Sequence, residues 1–115
     1  MIRKAEAMET ETRHNVRGGA GDVVFQHLFR QTEIKARTRL CARLTLPPGA
    51  GIGAHKHEGE DELFLVARGS GILDDGITRQ RVKAGDAILT GNGETHAIHN
   101  DGQEPLELIA IIMLY

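Results

Sequence analysis

The sequence predicts an all-β fold, a barrel or sandwich of short antiparallel strands, and three observations carry that prediction. Fourteen glycines fall mostly between short apolar segments, a rhythm of strand and turn with no room for long helices. Several segments alternate apolar and polar residues with a period of two, and none sustains a period of 3.6. Turn signals recur along most of the chain.

The elements follow in order. Residues 22–29 form the first expected strand. Residues 38–46 alternate clearly, with Leu40, Ala42, Leu44 and Leu46 on one face and Cys41, Arg43 and Thr45 on the other. Pro47-Pro48-Gly49 stops that strand, because proline has no N–H for a ladder. Residues 52–57 make a short extended piece, and 62–68 an apolar strand ended by Gly69. Strands 71–74 and 77–83 are expected to join through Asp75-Gly76 as a two-residue hairpin. Ala84-Gly85-Asp86 turns into 87–90, Gly91-Asn92-Gly93 into 95–100, and Asp101-Gly102 leads to a last strand over 106–114. Residues 1–12 have no apolar stripe and offer at most a helical turn.

Length and charge exclude several functions. A chain of 115 residues is one domain and can bury a core without disulfides. The net charge of −2, with acids and bases interspersed, gives no basic stripe to follow a phosphate backbone. Nucleic acid is not an expected partner, and Arg17-Gly18-Gly19 reads as a plain turn. The apolar run at 106–115 is too short for a membrane span and is broken by Glu107. One cysteine, Cys41, cannot form an internal disulfide. Residues 1–12 also lack the apolar stretch of a signal peptide, so the expected location is the cytoplasm.

Histidine is the informative residue. His55 and His57 are one residue apart, which in an extended chain puts both rings on one face, about 7 Å apart along the backbone. Glu62 follows at the start of the next strand. Two imidazoles and a carboxylate form a metal-ligating set that leaves other coordination positions open, and His96 on a later strand offers a third nitrogen. His99 has the opposite parity and should point away. His27 is a candidate for the barrel interior, and His14 for the surface. Asn100 shares parity with His96 and is expected to tie down backbone. Glu58, Glu60, Asp61 and Glu94 flank the four donors and read mostly as solvated loop charges.

Two segments resemble the paired motifs of the cupin family. The first reads Gly49-AGIGA-His55-Lys56-His57-EGED-Glu62-LFLVAR-Gly69, the second Gly85-DAILT-Gly91-Asn92-Gly93-ET-His96-AIH-Asn100. Every ligand spacing matches. Gly91 stands where the family usually has proline, which puts loop rigidity in question but no ligand. The resemblance implies a double-stranded β-helix, a jelly-roll barrel of two antiparallel sheets. It places His55, His57, Glu62 and His96 on the metal-ligand positions. It also implies one barrel over 16–115 and a homodimer, with residues 1–15 as an arm exchanged between partners.

Three nitrogens and one oxygen suit Mn, Fe, Ni, Co, Cu or Zn. With no Trp and one Tyr, flat platforms for a sugar are scarce. Tyr115, at the chain end, is not placed as a general base. A narrow aliphatic pocket lined by residues such as Phe25, Leu44, Phe64, Ile88 and Ile98 would take a small organic acid. Arg43 and Arg79 are candidates to meet its carboxylate. The expected function is a metal-binding cupin that acts on or binds a small carboxylate or oxygenated metabolite. As an enzyme it would be a dioxygenase, decarboxylase or isomerase. The alternative is a non-catalytic binding or sensing module.

Overall fold

Strands that follow one another in the chain repeatedly change sheets, and this exchange brings distant histidines together. The computed structural model describes residues 1–115. Its ten strands are β1 (Glu9–His14), β2 (Asp22–His27), β3 (Thr38–Leu46), β4 (Gly51–Lys56), β5 (Glu60–Arg68), β6 (Ser70–Asp74), β7 (Arg79–Lys83), β8 (Ala87–Gly91), β9 (Thr95–His99) and β10 (Leu106–Leu114). One sheet has the order β1-β2-β3-β10-β5-β8 and the other β4-β9-β6-β7, with every pairing antiparallel. This is the jelly roll of two sheets that the motifs imply.

The core lies where the inner faces meet. Ala42, Leu44 and Leu46 of β3 are buried, as the alternation predicts, and β10 contributes Leu106, Leu108 and Ala110 at 0% exposure. Phe64 and Val66 of β5 and Val23 of β2 complete the centre. Full burial of a Leu, Val or Phe side chain contributes about 1.5–3 kcal/mol. The glycines at 49, 69, 85 and 93 all have φ between 78° and 96°, where a Cβ would be strained. Asn100, fully buried, donates to the carbonyls of Leu46 and Glu104 at 2.8 Å each and accepts from the Gly102 amide at 2.9 Å. It ties down backbone, the expected role, although it shares the parity of His96.

Two local expectations change. The β6–β7 register pairs Asp74 with Arg79, so the connection spans 75–78 and Ile77 lies outside the strand. The Asp75 carboxylate causes this: it accepts from the amides of Ile77 at 2.9 Å and Thr78 at 2.7 Å, an Asx-type turn that competes with a two-residue hairpin. At the N-terminus, a 3₁₀ turn at Ala5–Ala7 precedes β1, which pairs with β2 of its own chain from Glu9↔His27 to His14↔Asp22. All six β1 residues are exposed, so the strand carries no apolar alternation for a sequence reading to find. No helix is long and apolar enough to cross a membrane.

Candidate metal centre

β4 and β9 pair with His55 opposite His96. His57 lies just past β4, and backbone bonds fix it to the β8–β9 turn. Its amide donates to the Glu94 carbonyl at 2.9 Å, and its carbonyl accepts from the Gly93 amide at 2.8 Å. Glu62 reaches the same point from the other sheet, on the inner face of β5. The four donor atoms lie within 4.8 Å of one another. Glu62, His57 and His96 are buried, and His55 is half-buried.

The three rings form a nearly equilateral triangle, with centroids 4.6–4.8 Å apart and planes inclined by 70–81°. Phe64 stacks on His96 at 4.9 Å and 10°, which holds that ring against rotation. The outer nitrogens are all engaged. His55 Nδ1 donates to the Gly53 carbonyl at 2.7 Å and His57 Nδ1 to Glu60 at 2.8 Å, and His96 Nδ1 lies 2.9 Å from the Thr90 hydroxyl, which can accept from it. With the proton on Nδ1, each Nε2 presents a lone pair to the centre.

Those lone pairs face one another and a carboxylate. His96 Nε2 is 3.1 Å from both His57 Nε2 and His55 Nε2, and Glu62 Oε1 is 3.0 Å from the Nε2 of His57 and of His96. Acceptors this close repel unless a cation lies between them. Two ligands about 2.1 Å from an ion and at right angles are ~3.0 Å apart, whereas a tetrahedral arrangement separates them by ~3.4 Å. The donor set therefore fits a divalent ion with further positions open. Burial lowers the His55 pKa, outweighing the hydrogen bond to Gly53, and so favours the neutral ring that ligation requires.

Glu60 departs from the sequence reading of a solvated charge. Its carboxylate accepts from His57 and is gripped by Arg39, Nε to Oε1 at 3.0 Å and Nη2 to Oε2 at 2.7 Å. Burial raises its pKa, but Arg39 and His57 together outweigh this and hold the carboxyl below its ordinary value. Asp61 accepts from the Tyr115 hydroxyl at 2.5 Å, and Glu94 accepts from the Gly91 amide at 3.1 Å. Glu58 pairs with Lys56.

Three of the donors, His55, His57 and Glu62, open on a cavity of about 70 Å³, lined on its apolar side by Phe25, Leu44, Ile52 and Phe64 and on its polar side by Arg13, Arg17 and Arg39. Its size admits a ligand of only a few heavy atoms. The expected linings Ile88 and Ile98 are not part of it. Arg43 and Arg79 are also elsewhere, pairing with Glu107 at 3.8 Å and Asp74 at 3.7 Å. Arg43 has the outward parity of β3, and Arg79 lies at the far edge of the other sheet. The cavity arginines sit on or beside strands whose packing partners could not be read from local pattern. The remaining histidines lie outside the donor set: His99 is exposed, His14 meets Asp22 at 2.5 Å, and buried His27 bonds Glu11 at 2.7 Å.

The Cupin domain family matches residues 42–112, more than half of the chain. The chain belongs to the cupin family. Among cupins it is similar to the Oxalate-binding protein of Thermotoga maritima, 40% identical over 114 residues that cover 99% of this chain and 94% of that protein. A Thermotoga maritima crystal structure described as a predicted oxalate decarboxylase superposes with a TM-score of 0.95 at 39% identity, covering 100% of both chains. A cupin sugar phosphate isomerase from Silicibacter pomeroyi, at 16% identity, shares the fold with a TM-score of 0.79 over 100% of this chain and 76% of that one.

Proposed function

We propose that this cupin binds a small dicarboxylate, oxalate or a close analogue, at one divalent transition metal held by His55, His57, Glu62 and His96. The observation that carries the reading is the convergence of three Nε2 lone pairs and one carboxylate, each ring set by its own Nδ1 partner. A bound ion would act there as a Lewis acid that takes up carboxylate oxygens. The chain's own residues supply the rest. Glu60 and Thr90 orient rings, Phe64 restrains His96, the apolar wall limits water, and the arginines offer positive charge to an anion. The oxalate-binding relative supports the ligand class.

Binding without turnover is the favoured form of this reading. Of the polar side chains lining the cavity, Arg13, Arg17 and Arg39 are guanidinium groups suited to binding an anion, and His55, His57 and Glu62 belong to the donor set. That leaves no free side chain there for general acid–base work. Metal analysis of the purified protein, followed by calorimetric titration with oxalate, tests the proposal. The expected result is about one divalent ion per chain, lost in His57→Ala, and oxalate binding only by the loaded protein. Oxalate binding that survives metal removal would sink it.

The same proposal includes a homodimer. On the outer face of the larger sheet, Leu63 pairs with Leu89 and Ile111, and Leu65 with Ile109. Leu65 is 41% and Leu89 63% exposed. An apolar patch of this kind on a sheet favours cover by an identical patch across a two-fold axis.

A further inference from the structure

Three arginines line the cavity, and they are not equivalent. Arg13 is committed to Glu11 at 2.7 Å and lies over the Phe25 ring at 4.1 Å. Arg39 is committed to Glu60 through two hydrogen bonds. The Arg17 guanidinium has neither an ion pair nor a hydrogen bond within the chain, and Arg17 is among the residues that line the same cavity as His55, His57 and Glu62.

The backbone holds Arg17 there in a costly conformation. Its φ of 52° and ψ of 32° are left-handed, a region that a long side chain seldom adopts. The turn is closed by the Gly18 amide to the Asn15 carbonyl at 3.0 Å and the Gly19 amide to the Val16 carbonyl at 2.8 Å. The Asn15 side chain closes it again, donating to the Gly19 carbonyl at 3.0 Å. The turn packs directly on β4, where a Cβ on Gly53 would overlap the Arg17 carbonyl and a Cβ on Gly19 would overlap the Gly51 carbonyl. Two bare backbones in contact thus fix the turn that carries Arg17, an exposed residue, at the rim of the cavity that His55, His57 and Glu62 line. Strain of this kind persists only where surrounding packing enforces it, and it gathers at ligand sites.

We infer that Arg17 is the specificity-determining residue of this cavity, binding the carboxylate of a small dianion that lies away from the four donors. The inference rests on the reading of the cavity as a carboxylate site. A planar guanidinium matches a carboxylate with two parallel hydrogen bonds, and it is free to do so only where no acid of the chain already occupies it. A cavity of about 70 Å³ has room for one such small ligand between the donors and the arginines that line it. Arg13 and Arg39 then contribute field, while Arg17 contributes contact.

The test uses the full chain reconstituted with Mn(II), titrated calorimetrically with oxalate and with acetate, for wild type, Arg17→Gln and Arg17→Lys. Mn(II) affinity is measured separately by chelator competition. Arg17→Gln is expected to weaken oxalate binding by about 10–100-fold, the loss of a charged hydrogen-bond pair. Acetate binding and Mn(II) affinity should stay within about twofold, and Arg17→Lys should recover part of the loss because it keeps charge but not the fork. Equal weakening of oxalate and acetate, or a fall in Mn(II) affinity, would reveal a structural role and overturn the inference. Unchanged oxalate binding in Arg17→Gln would overturn it too, with the carboxylate site left standing. A wild type that takes up Mn(II) but not oxalate would instead overturn the carboxylate site, and the inference with it.

Discussion

Glu60 Oε2 lies 2.8 Å from His57 Nδ1, and the same carboxylate is held at both oxygens by Arg39. An anion behind an imidazole makes the opposite nitrogen a better donor and fixes the ring's direction. Glu60→Ala is therefore expected to weaken metal affinity by about 10–100-fold. Chelator competition on the folded variant measures this. An unchanged affinity would show that His57 needs no partner.

Gly91 occupies the position where the family usually has proline, and here proline should harm the protein. A side chain on Gly91 would overlap the Asp61 carboxylate, which is fixed by the Tyr115 hydroxyl at 2.5 Å. Proline would also remove the amide that donates to Glu94 at 3.1 Å. The Tyr115 hydroxyl accepts in turn from the Asn92 amide at 3.2 Å, so the last residue of the chain stiffens this turn in proline's place. Gly91→Pro is expected to lower Tm by several degrees in a thermal melt, against the usual stabilising effect of proline in a turn.

Acid should loosen the N-terminal segment before the barrel. Hydrogen bonds from Arg13 and then His27 hold the Glu11 carboxyl at about 2, down from 4.5. Hydrogen bonds from Arg3 and the Arg30 amide do the same for Glu33. Both folded values lie below the unfolded one, so the contribution is fully present above about pH 4.5 and fades as the pH falls towards 2. Amide exchange, corrected for intrinsic rates, should show residues 1–14 losing protection between pH 4.5 and 2.5 and none between pH 7 and 5. Protection independent of pH across the lower window would count against these pairs as anchors.

The outer-face patch predicts a dimer that charge disrupts. Leu65→Glu combined with Leu89→Glu should convert a dimer into a folded monomer at micromolar concentration, read by light scattering and circular dichroism. A wild type that is already monomeric would remove the proposal.

Much of the site was legible because metal ligation demands particular residues at strand spacing. The four donors and the outward parity of His99 follow from residue type and period, and the Asn100 tie and the positive φ of four glycines from residue type. The second layer was not legible. Glu60 looks like its acidic neighbours until Arg39 and His57 are seen beside it, since nothing local joins β3 to β5. Arg43 reads from its strand as a candidate anion partner, but the face of a strand tells only half of where a side chain goes; the neighbouring strand tells the other half. β1 carries no such signal, because an edge strand exposed on both faces has no apolar alternation to display.

Glu62 belongs to one sheet, and His55 and His96 belong to the other. An ion gripped by all of them would be a rivet through both layers, able to seat only once the barrel has closed. Prying the layers apart would then mean ejecting the ion, and the concentration of free metal in the surroundings would become part of how firmly this small protein stays shut.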